Sequence, residues 1–123
     1  MMKHILIQNL SKPEFTPISA VHCSSFICRL RGLTFHHSIP SDFGLLMVFR
    51  KDNRIDSSIH MMFVFMDLTV VWINSALEVV DVILARKWRP LYVPRQPASY
   101  VLELHPQRLH DFKIGDKVQF GNE

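Results

Sequence analysis

Positions 59–73, IHMMFVFMDLTVVWI, are apolar except at His60, Asp67 and Thr69, and this run predicts the core of the fold. A bilayer-crossing helix needs about 20 predominantly apolar residues with no charge near the middle, whereas a buried strand needs only about 4 to 8. Val64, Phe65, Thr69, Val70, Val71, Trp72 and Ile73 are β-branched or aromatic and favour extended chain. The run therefore reads as two strands broken at Met66-Asp67. Other apolar or alternating stretches bounded by turn residues bring the predicted strands to 3–8, 18–22, 45–49, 59–64, 68–73, 79–84, 99–104 and 117–120. Strands this closely spaced suggest a mainly β sandwich or barrel.

Two short helices interrupt the pattern. In SSFICRLRG, Ser24 or Ser25 is placed to cap the first turn, Phe26, Ile27 and Leu30 form an apolar face, and Gly32 is placed to end the helix. Arg29 and Arg31 fall in the last turn, where the helix dipole favours cations. In HPQRLHDFKIGD, Pro106 suits the first helical position, Leu109 and Phe112 point inward, and Gly115-Asp116 turns the chain into a final strand.

The chain of 123 residues reads as one domain, 1–123, long enough to bury a core unaided. Its 48% hydrophobic and 20% charged content excludes disordered and collagen-like classes, and a net charge of +3 is too mild to point to sequence-specific nucleic acid binding. The N-terminal apolar patch covers only 5–7, short of a signal peptide's apolar region. Cys23 and Cys28 match no zinc spacing, and within a helix positions five apart point to different sides, so free thiols are expected. Both readings favour a cytoplasmic protein with no membrane partner.

Candidate chemistry is sparse. His36, His37 and His60 with Asp42 or Asp67 form no HxH, HExxH or CxxC pattern, so neither a metal nor a cofactor is expected. Met61, Met62 and Met66 read as core filler rather than a copper site. No serine or cysteine sits in a nucleophile elbow, and four isolated glycines build no phosphate loop; no catalytic residue is assigned. Asp67 reads as a turn residue rather than a proton-transfer group, and Glu103 in YVLEL is expected on the solvent face of a strand. The segment 84–97, LARKWRPLYVPRQP, holds Arg86, Lys87, Arg89 and Arg95 with Trp88 and Tyr92 and contains no acid. Guanidinium groups beside aromatic faces suit an anionic or carbohydrate ligand, although long basic side chains also commonly lie over apolar surface and Trp88 would serve to cover one end of the core.

The ordered motifs RLRGLTF at 29–35, DFGLLMVF at 42–49, SIHMMFVFMDLTVVWIN at 58–74, YVPRQPASYVLEL at 92–104 and IGDKV at 114–118 resemble the domain of unknown function 192 family over about 8–120. The resemblance implies a jelly-roll-like or barrel-like β domain and brings no activity with it. Arg31, Gly32, Gly44, His60, Tyr92, Pro94, Glu103 and Asp116 match its pattern. Where relatives carry a basic and an acidic residue, this chain has Phe65 and Thr69. Many relatives look exported, and this chain shows no leader.

The reading that follows is a non-enzymatic module binding a ligand or protein partner through Arg86, Trp88, Arg89 and Tyr92 together with Arg31 and His60. The rivals are a hydrolytic or metal-dependent enzyme using His60 with Asp67 or Glu103, and a structural protein-interaction module.

Overall fold

The strand Leu68–Ile73 buries all six of its residues, as its unbroken β-branched and aromatic sequence requires of a strand covered on both faces. In the computed structural model, which describes residues 3–122, this strand lies inside a mixed seven-stranded sheet. The strands are β1 (His4–Asn9), β2 (Ile18–Cys23), β3 (Phe43–Asn53), β4 (Leu68–Ile73), β5 (Val79–Ala85), β6 (Ala98–Leu104) and β7 (Val118–Asn122), in spatial order β5-β4-β6-β3-β2-β1-β7. All neighbours are antiparallel except β2 and β3. Parallel strands need a crossover, and the helix α1 (Phe26–Arg31) lies within it.

Period-two alternation divides the core between the two faces of the sheet. Val21, Leu45, Met47, Val70, Trp72 and Val101 pack on one face. Ile7, Ile18, Leu46, Val71, Leu102 and Leu104 pack on the other. Trp72 satisfies its indole N–H by donating to the Ser57 carbonyl at 2.7 Å. On the second face Gly44 lets strands and side chains close up: a Cβ there would meet Leu104 Cδ2 at 2.9 Å and Ile18 Cγ2 at 3.1 Å. Gly44→Ala is accordingly expected to destabilise by roughly 1–3 kcal/mol through overpacking, read as a lower urea midpoint with an unchanged slope.

Three expectations about the architecture change. The sandwich or jelly roll is replaced by one open sheet containing a parallel pair, whose edge strands meet near one end: Val79 N–H donates to the Asp116 carbonyl and Val118 N–H to the Leu77 carbonyl. The strand expected at 59–64 is a looped segment. Ile59 forms an isolated bridge with Tyr92, Met61 N–H donates to Arg89 O, and Phe63 turns the chain at φ 61°. Burial of Ile59, Met61 and Val64 explains its apolar composition without a ladder, since an apolar run alone does not distinguish strand from buried loop. Glu103 is buried, 3% exposed, rather than on a solvent face. Residues two apart on a strand share a face, and the face of Val101 and Glu103 is covered.

The helix α1 has the expected caps: Ser25 Oγ accepts from Cys28 N–H at 3.1 Å, and Gly32 ends it at φ 52°. Its apolar face is not packed, however, with Phe26 and Ile27 each 68% exposed and no residue of the helix buried. Cys23 and Cys28 form a disulfide rather than free thiols. Cys23 ends β2 and the helix begins only at Phe26, so the intervening turn brings the two cysteines together, which a continuous helix would not. This removes the thiol argument for a reducing cytoplasm. Among the described residues no helix is long and apolar enough to cross a membrane.

The second helix, η1 (Pro106–Asp111), is a 3-10 helix with Pro106 in its first turn and Phe112 buried just beyond it. Its Arg108 is also buried, donating to the Ser41 and Thr16 carbonyls and pairing with Asp111. That guanidinium ties the connections before β2 and β3 to η1.

Candidate functional site

A cleft of about 740 Å³ opens on the first face of the sheet, beside α1. This lies within the range of roughly 300–1,000 Å³ usual for small-molecule sites. Phe26, Leu30 and Arg31 of the helix line one side; Met47, Phe49, Arg50 and Lys51 of β3 line another. Asp56, Ser58, Ile59 and His60 come from the loop after β3, and the buried Glu103 of β6 also lines the cleft. The outer cations Arg31, Arg50 and Lys51 are exposed and make no ion pair among the described residues. Arg29 is committed to the scaffold, donating to Ser24 and Val48 carbonyls and lying over the Phe49 ring.

The inner end of the cleft is chemically unusual. Glu103 stands opposite Leu45 and Val70 in the middle of the sheet, among apolar neighbours. Its Oε1 has no hydrogen-bond partner among the described residues, and burial pushes its carboxyl up to about 7. Gly32 packs directly against it, a Cβ there falling 3.4 Å from Oε1, and the positive φ independently favours glycine. His60 Nε2 lies 2.9 Å from the Leu30 carbonyl. Because a carbonyl only accepts, Nε2 carries the proton and Nδ1 of the neutral ring is an acceptor. That Nδ1 is likewise buried without a partner among the described residues. Such atoms incur a desolvation cost that a hydrogen-bonding ligand would relieve.

Of the residues singled out by sequence, Arg31 and His60 therefore meet in the cleft, and Glu103 joins them. Asp67 does not. It pairs with Arg86 at 3.3 Å and accepts from Lys87 N–H at 2.9 Å, tying the segment before β4 to the segment after β5 rather than turning the chain between two strands. Arg86, Trp88, Arg89 and Tyr92 form a separate region, connected to the cleft loop through the Ile59–Tyr92 bridge. Tyr92 accepts from Arg86 N–H through its hydroxyl at 2.8 Å and carries the Arg89 guanidinium 5.7 Å from its ring centre. Trp88 packs against Phe63 and Phe65, Phe35 touches both phenylalanines, and His37 stacks on Phe65. Phe35, Phe63 and Trp88 all have positive φ and stay substantially exposed. Thr69 is buried with its hydroxyl donating to Pro106 O, so Phe65 and Thr69 serve packing and hydrogen bonding at the positions of the expected charged pair.

No group of three or more His, Cys, Asp or Glu side chains among the described residues is placed to hold a metal ion. Arg50 and Lys51 also line the cleft with only an RK pair closing an apolar strand to mark them in the sequence, and the aromatic neighbours of Trp88 carry no local signal because they are far apart in the chain.

The matched family, DUF192, carries the description "Uncharacterized ACR" and covers residues 8–120. The chain belongs to the DUF192 family. A UPF0127 protein of Pyrococcus furiosus is 34% identical over 115 residues, spanning 91% of this chain and 95% of that protein. A UPF0127 protein of Thermococcus gammatolerans is 40% identical over 79 residues, covering 64% of this chain; the matched part is 50% of the length of that relative. A solved structure of a protein of unknown function from Novosphingobium aromaticivorans superposes with a TM-score of 0.80 at 16% identity, covering 96% of this chain and 84% of that one. That likeness establishes a shared fold.

Proposed function

We propose that this DUF192 domain is a non-enzymatic ligand-binding module with its site in the cleft of Arg31, His60 and Glu103. The observation that supports it best is the pair of buried atoms without a partner among the described residues, Glu103 Oε1 and His60 Nδ1, in a cleft that also holds exposed cations. A folded domain retains unsatisfied buried polar groups at a cost of about 1–3 kcal/mol each, and function is one reason to retain them. The basic-aromatic region of Arg86, Trp88, Arg89 and Tyr92 is read as a second contact surface outside that cleft.

The test is a thermal-shift screen of organic acids, phosphate esters, neutral sugars and amines against wild type, Arg31→Ala and His60→Ala. A ligand that binds only the native state raises the melting temperature in a saturable way. Saturable hits weakened by both substitutions support the cleft. Hits indifferent to both, yet lost in Trp88→Ala, would move the site to the basic-aromatic region.

The enzyme reading has one observation in its favour, since a carboxyl raised to about 7 in a cleft that also holds an imidazole suits proton transfer near neutrality. Turnover of any hit, abolished in Glu103→Gln while binding survives, would establish it over simple binding.

A further inference from the structure

We propose that the cleft takes a small hydroxylated organic anion, with its hydroxyl between His60 Nδ1 and Glu103 and its carboxylate or phosphate among Arg31, Arg50 and Lys51. This rests on the cleft being the ligand site and adds the chemistry of the ligand.

Each part of the ligand follows from a different part of the wall. His60 donates through Nε2 to the Leu30 carbonyl, so in the neutral ring Nδ1 presents a lone pair and calls for a donor. A neutral Glu103 presents an acid O–H and calls for an acceptor. A hydroxyl is both, donating to the imidazole and accepting from the acid; an amine cation fails the second requirement and a carbonyl the first. Leu30, Met47, Phe49 and Ile59 supply an apolar middle. At the outer end Arg31, Arg50 and Lys51, which make no ion pair among the described residues, outnumber Asp56, which favours an anionic head.

The arrangement makes binding proton-linked. The charged and titratable groups sharing the cleft with Glu103 are Arg29 and Arg31 from the helix, Arg50 and Lys51 from β3, and Asp56 and His60 from the loop. With the Glu103 carboxyl at about 7 in the free protein, an anion bound beside its acid form raises it further, so affinity falls as pH rises through neutrality. A ligand ammonium held by the Glu103 carboxylate would give the opposite slope.

The experiment is calorimetric titration of the full chain with gluconate and glucose 6-phosphate, against hexanoate, glucose and glucosamine, at about pH 7 and about pH 8.5. Gluconate or glucose 6-phosphate should bind at least about tenfold more tightly than hexanoate or glucose, and about tenfold more tightly at the lower pH. Glu103→Gln should flatten that pH dependence without unfolding the protein, as checked by a circular-dichroism melt, and Arg50→Ala/Lys51→Ala should weaken both anions. Equal affinity for hexanoate, preference for glucosamine at the higher pH, or no saturable binding of either hydroxylated anion up to about 10 mM overturns the ligand class. Glucose or glucosamine binding that still depends on Arg31 and His60 would overturn the class while leaving the cleft as the site. Loss of all dependence on cleft residues would overturn the cleft itself.

Discussion

Val71→Asp is expected to abolish cooperative folding. Val71 is fully buried at the middle of β4, in register with Leu102 on one side and Val82 on the other. Its side chain belongs to the second core with Leu46 and Leu104, among apolar neighbours. An ionised carboxylate there loses its hydration with nothing in return, and even its neutral form leaves a polar group unpaired, a cost of several kcal/mol. Against the roughly 5–15 kcal/mol of a typical domain, that leaves little or no native state at room temperature. Circular dichroism should show no cooperative thermal transition, and a variant melting like wild type would remove β4 from the core. Met62→Leu is the matching control from the same apolar run. Met62 is 37% exposed, so the change should stay within about 0.5 kcal/mol.

The contrast between these neighbours shows how far the sequence could be read. Alternation and β-branching located β4, β5 and β6 closely because those strands carry their own pattern: Val71 and Trp72 fit extended chain whatever they pack against. The helix caps Ser25 and Gly32 were legible for the same reason, being decided by local backbone chemistry. The first half of the apolar run was not, because Ile59, Met61 and Val64 are buried by a loop that pairs with Tyr92, a residue far along the chain. The same limit governs the cleft. Arg31 and His60 stood out through family resemblance, but their convergence with Glu103 depends on β6 lying between β3 and β4, which no local pattern encodes. Strand alternation puts Glu103 and Val101 on one face, but the solvent exposure expected for Glu103 fails because Gly32, at the end of α1, packs against it. The basic-aromatic segment failed in the opposite direction. Its residues adjoin in sequence, yet Asp67 ties Arg86 down and Tyr92 is engaged by its own neighbours.

Glu103→Gln should stabilise the domain by about 3 kcal/mol at about pH 8 and have little effect at about pH 4, measured as the difference in urea unfolding free energy from wild type. Burial raises the folded carboxyl from 4.5 to about 7. A group raised in this way binds its proton more tightly in the folded state than in the unfolded one. Its contribution is therefore fully present below 4.5 and is lost as pH rises through about 7. Glutamine keeps the size and hydrogen-bonding capacity of the neutral acid and never ionises, so the difference between variant and wild type should open across that window and then level off. Taking the difference cancels the remaining titrations, including that of Asp52. Burial opposes ionisation of Asp52, but hydrogen bonds from Ser99 and Ser75 outweigh it and hold the carboxyl below 3.8, so its contribution fades only in stronger acid. A difference that stays constant with pH would mean that Glu103 is hydrated or paired in solution. The inner end of the cleft would then offer a ligand no unsatisfied acid, and the hydroxyl-binding geometry would fall with it.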